Sequence, residues 1–180
     1  MMKDAADYLL SEIRETLSRV SHASAEEMVN AIVRAKSIFI YGVGRSGLVG
    51  KSFSVRLVQM GLDVHFVGDT TTPIVEKEDL VLIISATGET MSAVQTANIV
   101  GRIGATVVVV TANEHSKLSK AATVLVEISP RPSEEQALYA PMGTVFEDSV
   151  FVFLDSLVPV VMQRLGQSEQ SMRRRHAIWV

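Results

Sequence analysis

The sequence predicts a three-layer αβα sandwich around a doubly wound, five-stranded parallel sheet, with helices before the sheet and a long helix after it. Three observations support this. Short β-rich runs alternate with helical stretches between residues 37 and 128, the pattern of a parallel sheet with right-handed crossovers. Several of those runs are continuously apolar, as strands covered on both faces must be. Two of them end in loops of small residues that open directly into a helix, the usual place for ligands in an open parallel sheet.

The chain of 180 residues suits one domain. Its expected divisions are 1–35 (N-terminal helices), 37–128 (sheet core), 144–165 (long helix) and 166–180 (tail). Over residues 3–20, Leu9, Leu10, Ile13 and Leu17 recur at helical spacing. Ser24 reads as the N-cap of a second helix ending near Ala35, with Glu27 three residues on completing a capping box. Strands are expected at 37–41, 63–67, 80–84, 105–110 and 123–128. The intervening helices fall at about 47–60, 90–103 and 116–120. A loop over 129–142 holds Pro130, Pro132 and Pro141. The helix over 144–165 is apolar almost all round, so one face covers the sheet and the rest needs another burial partner, most simply a second subunit. A homo-oligomer, dimer or tetramer, is expected. Pro159 should kink or divide that helix.

Composition narrows the function. There are 17 basic and 20 acidic residues, a formal charge of −3, so nothing draws the whole chain to nucleic acid or to anionic membrane. Aromatic residues are 6%, too sparse for a single-strand stacking platform. Cysteine is absent, which removes thiol nucleophiles, disulfides and Cys-ligated metal and fits the cytoplasm. The N-terminal stretch carries acids throughout, unlike a targeting signal. The most apolar stretch, 150–162, is too short to span a bilayer and contains Asp155 and Pro159.

Two loops can do chemistry. Gly42-Val43-Gly44-Arg45-Ser46-Gly47 satisfies G-x-G-x-x-G, and Asp69 stands where a dinucleotide fold keeps its ribose-binding acid. Arg45, however, would crowd a pyrophosphate while suiting a sugar phosphate, and no residues remain for a separate catalytic domain. The second loop, Ser85-Ala86-Thr87-Gly88-Glu89-Thr90, places three hydroxyls at the start of a helix. Hydroxyls, free N–H groups and the helix dipole make a phosphate cradle. A Walker lysine is missing, which argues against a nucleoside triphosphate. A plain N-cap role for Thr87 or Thr90 would explain one hydroxyl but hardly three.

These loops, with Val67-Gly68-Asp69-Thr70-Thr71-Thr72-Pro73, Pro141-Met142-Gly143-Thr144-Val145-Phe146-Glu147 and Arg175-His176-Ala177, resemble the sugar isomerase (SIS) domain, and within it the 6-phospho-3-hexuloisomerases of the ribulose monophosphate pathway of formaldehyde fixation. The resemblance spans nearly the whole chain. It implies interconversion of D-arabino-3-hexulose 6-phosphate and D-fructose 6-phosphate, with no metal or organic cofactor and with the second loop on the phosphate. Thr87 stands where that family usually has serine, and the ending Ile178-Trp179-Val180 departs from its usual Asn-Leu-Glu. The expected phosphate and substrate residues are Gly44, Arg45, Ser46, Thr70, Thr71, Ser85, Thr87, Gly88 and Thr90.

Such a reaction needs a base on the shared face of C2 and C3. Glu147, in the first turn of the long helix, is the candidate, with Glu89 a lesser one. The helix dipole favours its ionised form, and burial beside Phe146 and Phe151 opposes it. His176 suits a hydroxyl-proton shuttle and, lying in a tail, could reach a neighbouring subunit's site. His22, His65 and His115 have no local constellation. The alternatives are a sugar-phosphate sensor without catalysis and an arabinose 5-phosphate isomerase-like activity.

Overall fold

A computed structural model of the chain describes residues 1–177; the expectation about Ile178-Trp179-Val180 lies outside them. Two helices lead, α1 (Met2–Ser18) and α2 (His22–Arg34), followed by β1 (Ile38–Gly42), α3 (Gly44–Gln59), β2 (Val64–Phe66), β3 (Leu80–Ile84), α4 (Met91–Ile103), β4 (Thr106–Thr111), α5 (Lys117–Lys120) and β5 (Val124–Glu127). Then come α6 (Gln136–Tyr139), α7 (Thr144–Arg164) and α8 (Glu169–Arg174).

The strands form one parallel sheet in the order β2-β1-β3-β4-β5. Side chains alternate across the sheet, and both faces are buried. Ile38, Ile40, Leu80, Leu82, Ile84, Val108 and Val110 join Met28 and Ile32 of α2, Phe53 and Leu57 of α3, and Phe146, Val150 and Leu154 of α7. On the other face, Phe39, Val81, Ile83, Val107 and Val109 pack on Ala93, Ala97 and Val100 of α4 and Leu118 of α5. All five residues of β3 are buried, which explains its unbroken apolar run. The order reverses between β1 and β3, and Gly42 pairs with Ile84 there. The two small-residue loops therefore leave the sheet side by side.

Four expectations are corrected. The α2 N-cap is Ser21, not Ser24: Ser21 is extended and its hydroxyl accepts from the Ser24 N–H at 3.3 Å. The helix thus starts a turn early, and the Ser24–Glu27 capping box does not form. α7 finds most of its second burial partner inside the chain, because α1, α2 and α3 all pack on it; only Phe151 and Val152, each 42% exposed, stand out among its large apolar residues. Pro159 does not divide α7, which runs unbroken to Arg164; it sits on the exposed side, where the carbonyl it leaves without a donor can face water. Finally, the stretch read as a polar tail holds α8, capped reciprocally by Ser168 and Ser171.

Leu57 is fully buried in the α3 layer. Leu57→Ala should lower the unfolding free energy by about 2–5 kcal/mol, read as a fall in the urea midpoint. An unchanged midpoint would mean that this layer is not a packed core.

Candidate active site

The site begins where β1 and β3 end. After β1, Gly44 takes φ +60°, and Gly47 approaches so closely that a Cβ there would lie 2.4 Å from the Gly42 carbonyl oxygen. This brings the first turn of α3, with Arg45 and Ser46, over the strand end. After β3 the chain turns at Gly88, φ +65°, where a Cβ would lie 2.1 Å from Ser116 Oγ.

The second loop is held from behind. The Ala86 carbonyl accepts from the Ala112 N–H at 3.1 Å and from Thr111 Oγ1 at 3.2 Å. The Thr87 carbonyl accepts from Asn113 Nδ2 at 3.5 Å, and that of Gly88 from the Leu118 N–H at 3.1 Å. Three consecutive carbonyls are thus taken by the β4–α5 segment, which leaves the other side of the loop to its hydroxyls. Ser85 Oγ lies 3.3 Å from Thr90 Oγ1 and accepts from the Gly88 N–H at 3.3 Å. Thr87 Oγ1 accepts from the Glu89 N–H at 3.2 Å. Thr90 occupies the N-cap position of α4 yet makes no capping hydrogen bond. The first-turn N–H groups of α4 therefore have no side-chain acceptor, the arrangement that receives an anion.

Val43, Ser46, Ser85, Thr87, Thr90 and Ala93 line a cavity of about 130 Å³ here. At roughly 30 Å³ per water-sized group, it has the capacity of a phosphoryl group rather than of a sugar. A larger cleft of about 710 Å³ lies at the amino ends of the strands. It lacks a small-residue loop at a helix start, and its Lys36 is paired with Glu76 at 2.7 Å.

Glu147 lies beside this cavity. It is 9% exposed in the first turn of α7. Arg45 Nε donates to Glu147 Oε2, Arg45 Nη2 to Asp148 Oδ1 at 3.3 Å, and Ser46 Oγ to Glu147 Oε1 at 3.4 Å. The Glu147 hydrogen bond pushes the Arg45 guanidinium above its ordinary pKa. Arg45, expected on the phosphate, is thus turned to the carboxylates. Ser46, 6% exposed, both lines the phosphoryl-sized cavity and touches Glu147, and so joins the two.

The other expected residues are placed less centrally. Thr70 and Thr71 are exposed on the loop after β2 and do not line the cavity. In that loop it is Thr72 that is anchored, donating to the carbonyls of Phe66 at 2.9 Å and Asp69 at 2.7 Å. Asp69 faces Lys51 at 3.8 Å. Glu89 is bonded to Lys117, whose N–H and ammonium hold its carboxyl below the ordinary range. Its carboxylate is engaged by Lys117, whereas Glu147 is the acid held by Arg45 and Ser46. His176 follows α8, and neighbouring Arg175 donates to the Gln59 carbonyl at 3.3 Å, at the far end of α3 from Arg45. Fourteen residues of helix separate those ends, roughly 21 Å. His176 and Glu147 are therefore not brought together within one chain. Sequence reasoning missed the β4–α5 segment, whose contacts all end on main-chain carbonyls of the loop and come half from its own main chain, and so leave little mark on residue type.

The SIS domain family matches residues 31–146. A 3-hexulose-6-phosphate isomerase of Methanocaldococcus jannaschii is 36% identical over 84% of this chain and 81% of its own length. One of Bacillus subtilis is 32% identical over 94% of each. A solved Methanococcus jannaschii protein, for which a molecular function of 3-hexulose-6-phosphate isomerase was inferred, superposes with a TM-score of 0.84 at 30% identity, covering 98% of each chain. The chain accordingly belongs to the SIS domain family and, within it, to the isomerases.

Proposed function

We propose that this protein is a sugar-phosphate isomerase that interconverts D-arabino-3-hexulose 6-phosphate and D-fructose 6-phosphate through an enediol. The observation that carries the reading is the junction at Ser46, where a phosphoryl-sized, hydroxyl-lined cavity meets a buried carboxylate. A sensor would need the first of these and not the second. The relatives named above are 3-hexulose-6-phosphate isomerases, which supports 3-hexulose 6-phosphate as one partner of the pair; fructose 6-phosphate is the partner the sequence resemblance implies.

The phosphate sits on Ser85, Thr87, Thr90 and the first-turn N–H groups of α4, anchoring the sugar so that its carbonyl end extends past Ser46. Glu147 takes the C2 proton of the 3-hexulose as the C3 carbonyl becomes the enediol hydroxyl, and returns a proton to C3 as the C2 oxygen becomes the carbonyl. One face of the substrate serves both transfers, so one carboxylate suffices. Arg45 and Ser46 fix the orientation of the Glu147 carboxylate by hydrogen bonds to its two oxygens. The proton exchanged between the two oxygens needs a second group. His176 fills that role in an adjoining subunit, because its own Glu147 is out of reach. Leu48 and Val55 of α3 and Phe151 and Val152 of α7 are exposed apolar side chains on the two helices that carry Arg45 and Glu147. A second copy seated there would bury them and bring its tail to the site.

Ser85→Ala and Thr90→Ala should each weaken fructose 6-phosphate binding by about 1.5–3 kcal/mol, the worth of a hydrogen bond to a charged group. Titration calorimetry checks this, and full affinity in both variants refutes the cradle. Glu147→Gln should still bind fructose 6-phosphate but lose turnover and, in deuterated water, lose incorporation of carbon-bound deuterium. Near-normal exchange in that variant would move the base elsewhere. His176→Ala should slow both directions by roughly 10²–10⁴, and mixed oligomers of His176→Ala and Glu147→Gln subunits should regain activity. A monomer in light scattering, or mixing without recovery, would remove the shared site.

A further inference from the structure

Glu89 is an odd residue to find in a phosphate loop. It lies between Gly88 and Thr90, so a carboxylate stands among the groups that would receive a dianion. A free carboxylate there would repel the ligand, and water and salt would screen that repulsion only in part at such short range. The carboxylate is not free. Its Oε1 accepts from the Lys117 N–H at 3.0 Å, and its Oε2 lies 2.9 Å from Lys117 Nζ. Both side chains are substantially exposed, 43% for Glu89 and 72% for Lys117. An ion pair in that setting adds little to folding, so stability is a poor reason for its presence. The main-chain anchoring of the loop does not need it either: the carbonyls of Ala86, Thr87 and Gly88 are held by residues 111–113 and by the Leu118 N–H.

We infer that Lys117 is a positioning residue for substrate binding, drawing the Glu89 carboxylate back onto the start of α5 and neutralising it so that the phosphate loop can accept a dianionic sugar phosphate. This rests on the reading of that loop as the phosphate site. Lys117 itself does not touch the reacting carbons. Its effect falls on the affinity for the phosphorylated end, equally in ground and transition states, and so on KM rather than on kcat. The Glu89 carboxylate is the group through which it acts, so removing that charge makes Lys117 dispensable.

The test uses full-length Lys117→Met, Lys117→Arg, Glu89→Gln and the Lys117→Met/Glu89→Gln double variant. Initial rates and calorimetric affinity are measured with fructose 6-phosphate, and circular dichroism checks the fold. Lys117→Met should raise KM about fivefold with kcat within about twofold of the parent. Lys117→Arg should restore KM, and so should adding Glu89→Gln to Lys117→Met. An unchanged KM in Lys117→Met, a loss confined to kcat, or a double variant as weak as Lys117→Met would each overturn the inference, the last by showing a mechanical strap rather than a charge shield. Ser85→Ala and Thr90→Ala are measured alongside. If they weaken binding while Lys117→Met does not, the role of Lys117 fails and the phosphate site stands; if they bind normally, the site itself fails and the inference with it.

Discussion

The pairing of β1 with β3 governs the rest of the structure. Five consecutive residue pairs, from Ile38 with Leu80 to Gly42 with Ile84, bring the two strand ends to the same height at the point where the sheet changes direction. Helices that follow these strands cannot both lie on one face, since the crossovers run to opposite sides. α3 and α4 therefore diverge, and the wedge between their first turns is the cavity. A one-residue slip would invert the faces of β3 and separate Ser46 from Ser85. The apolar character of β3 on both faces protects the position of the strand but not its register. The close approach of Gly47 to Gly42, which has no room for a side chain, in turn fixes the first turn of α3 over the end of β1.

What α7 contributes follows from that wedge. It lies against α3 on the same face of the sheet, and its first turn delivers Glu147 to the flank of Arg45 and Ser46. The carboxylate comes from far along the chain, yet it is held by two residues of the first loop. On the proposed mechanism, binding groups come from the strand ends, and the reactive carboxylate comes from a helix added after the sheet is complete. Such a division allows the chemistry to vary while the phosphate grip stays.

Much of this was legible in the sequence because it depends on residue type. Continuous apolar runs marked the strands, and β3 was read to the residue. Small residues and hydroxyls marked both loops, and an acid in the first turn of an apolar helix marked Glu147. Other features depend on partners distant in sequence. Ser21 and Ser24 are equivalent as caps until the path of the chain into α2 is known. The apolar circumference of α7 implied a burial partner but could not say that α1 and α2 supply most of it. Arg45 was read as a phosphate ligand because a cation in a glycine loop has that default; its carboxylate partners lie 102 and 103 residues away. The separation of His176 from Glu147 needed the docking of Arg175 at the end of α3, which no local pattern encodes. The grip of the β4–α5 segment on the second loop falls on main-chain carbonyls, and half of its donors are main-chain N–H groups.

Thr90 stands at the head of α4 and leaves that head uncapped. A residue whose side chain bonded the first-turn N–H groups would typically make a helix firmer by about 0.5–2 kcal/mol. It would also put its own oxygen where the proposed phosphate site needs one. On the proposed phosphate site, the position is one where stability and function compete. Substitutions selected only for thermal resistance would be drawn to this residue, and a more durable protein obtained there would, on that reading, have filled its own phosphate site.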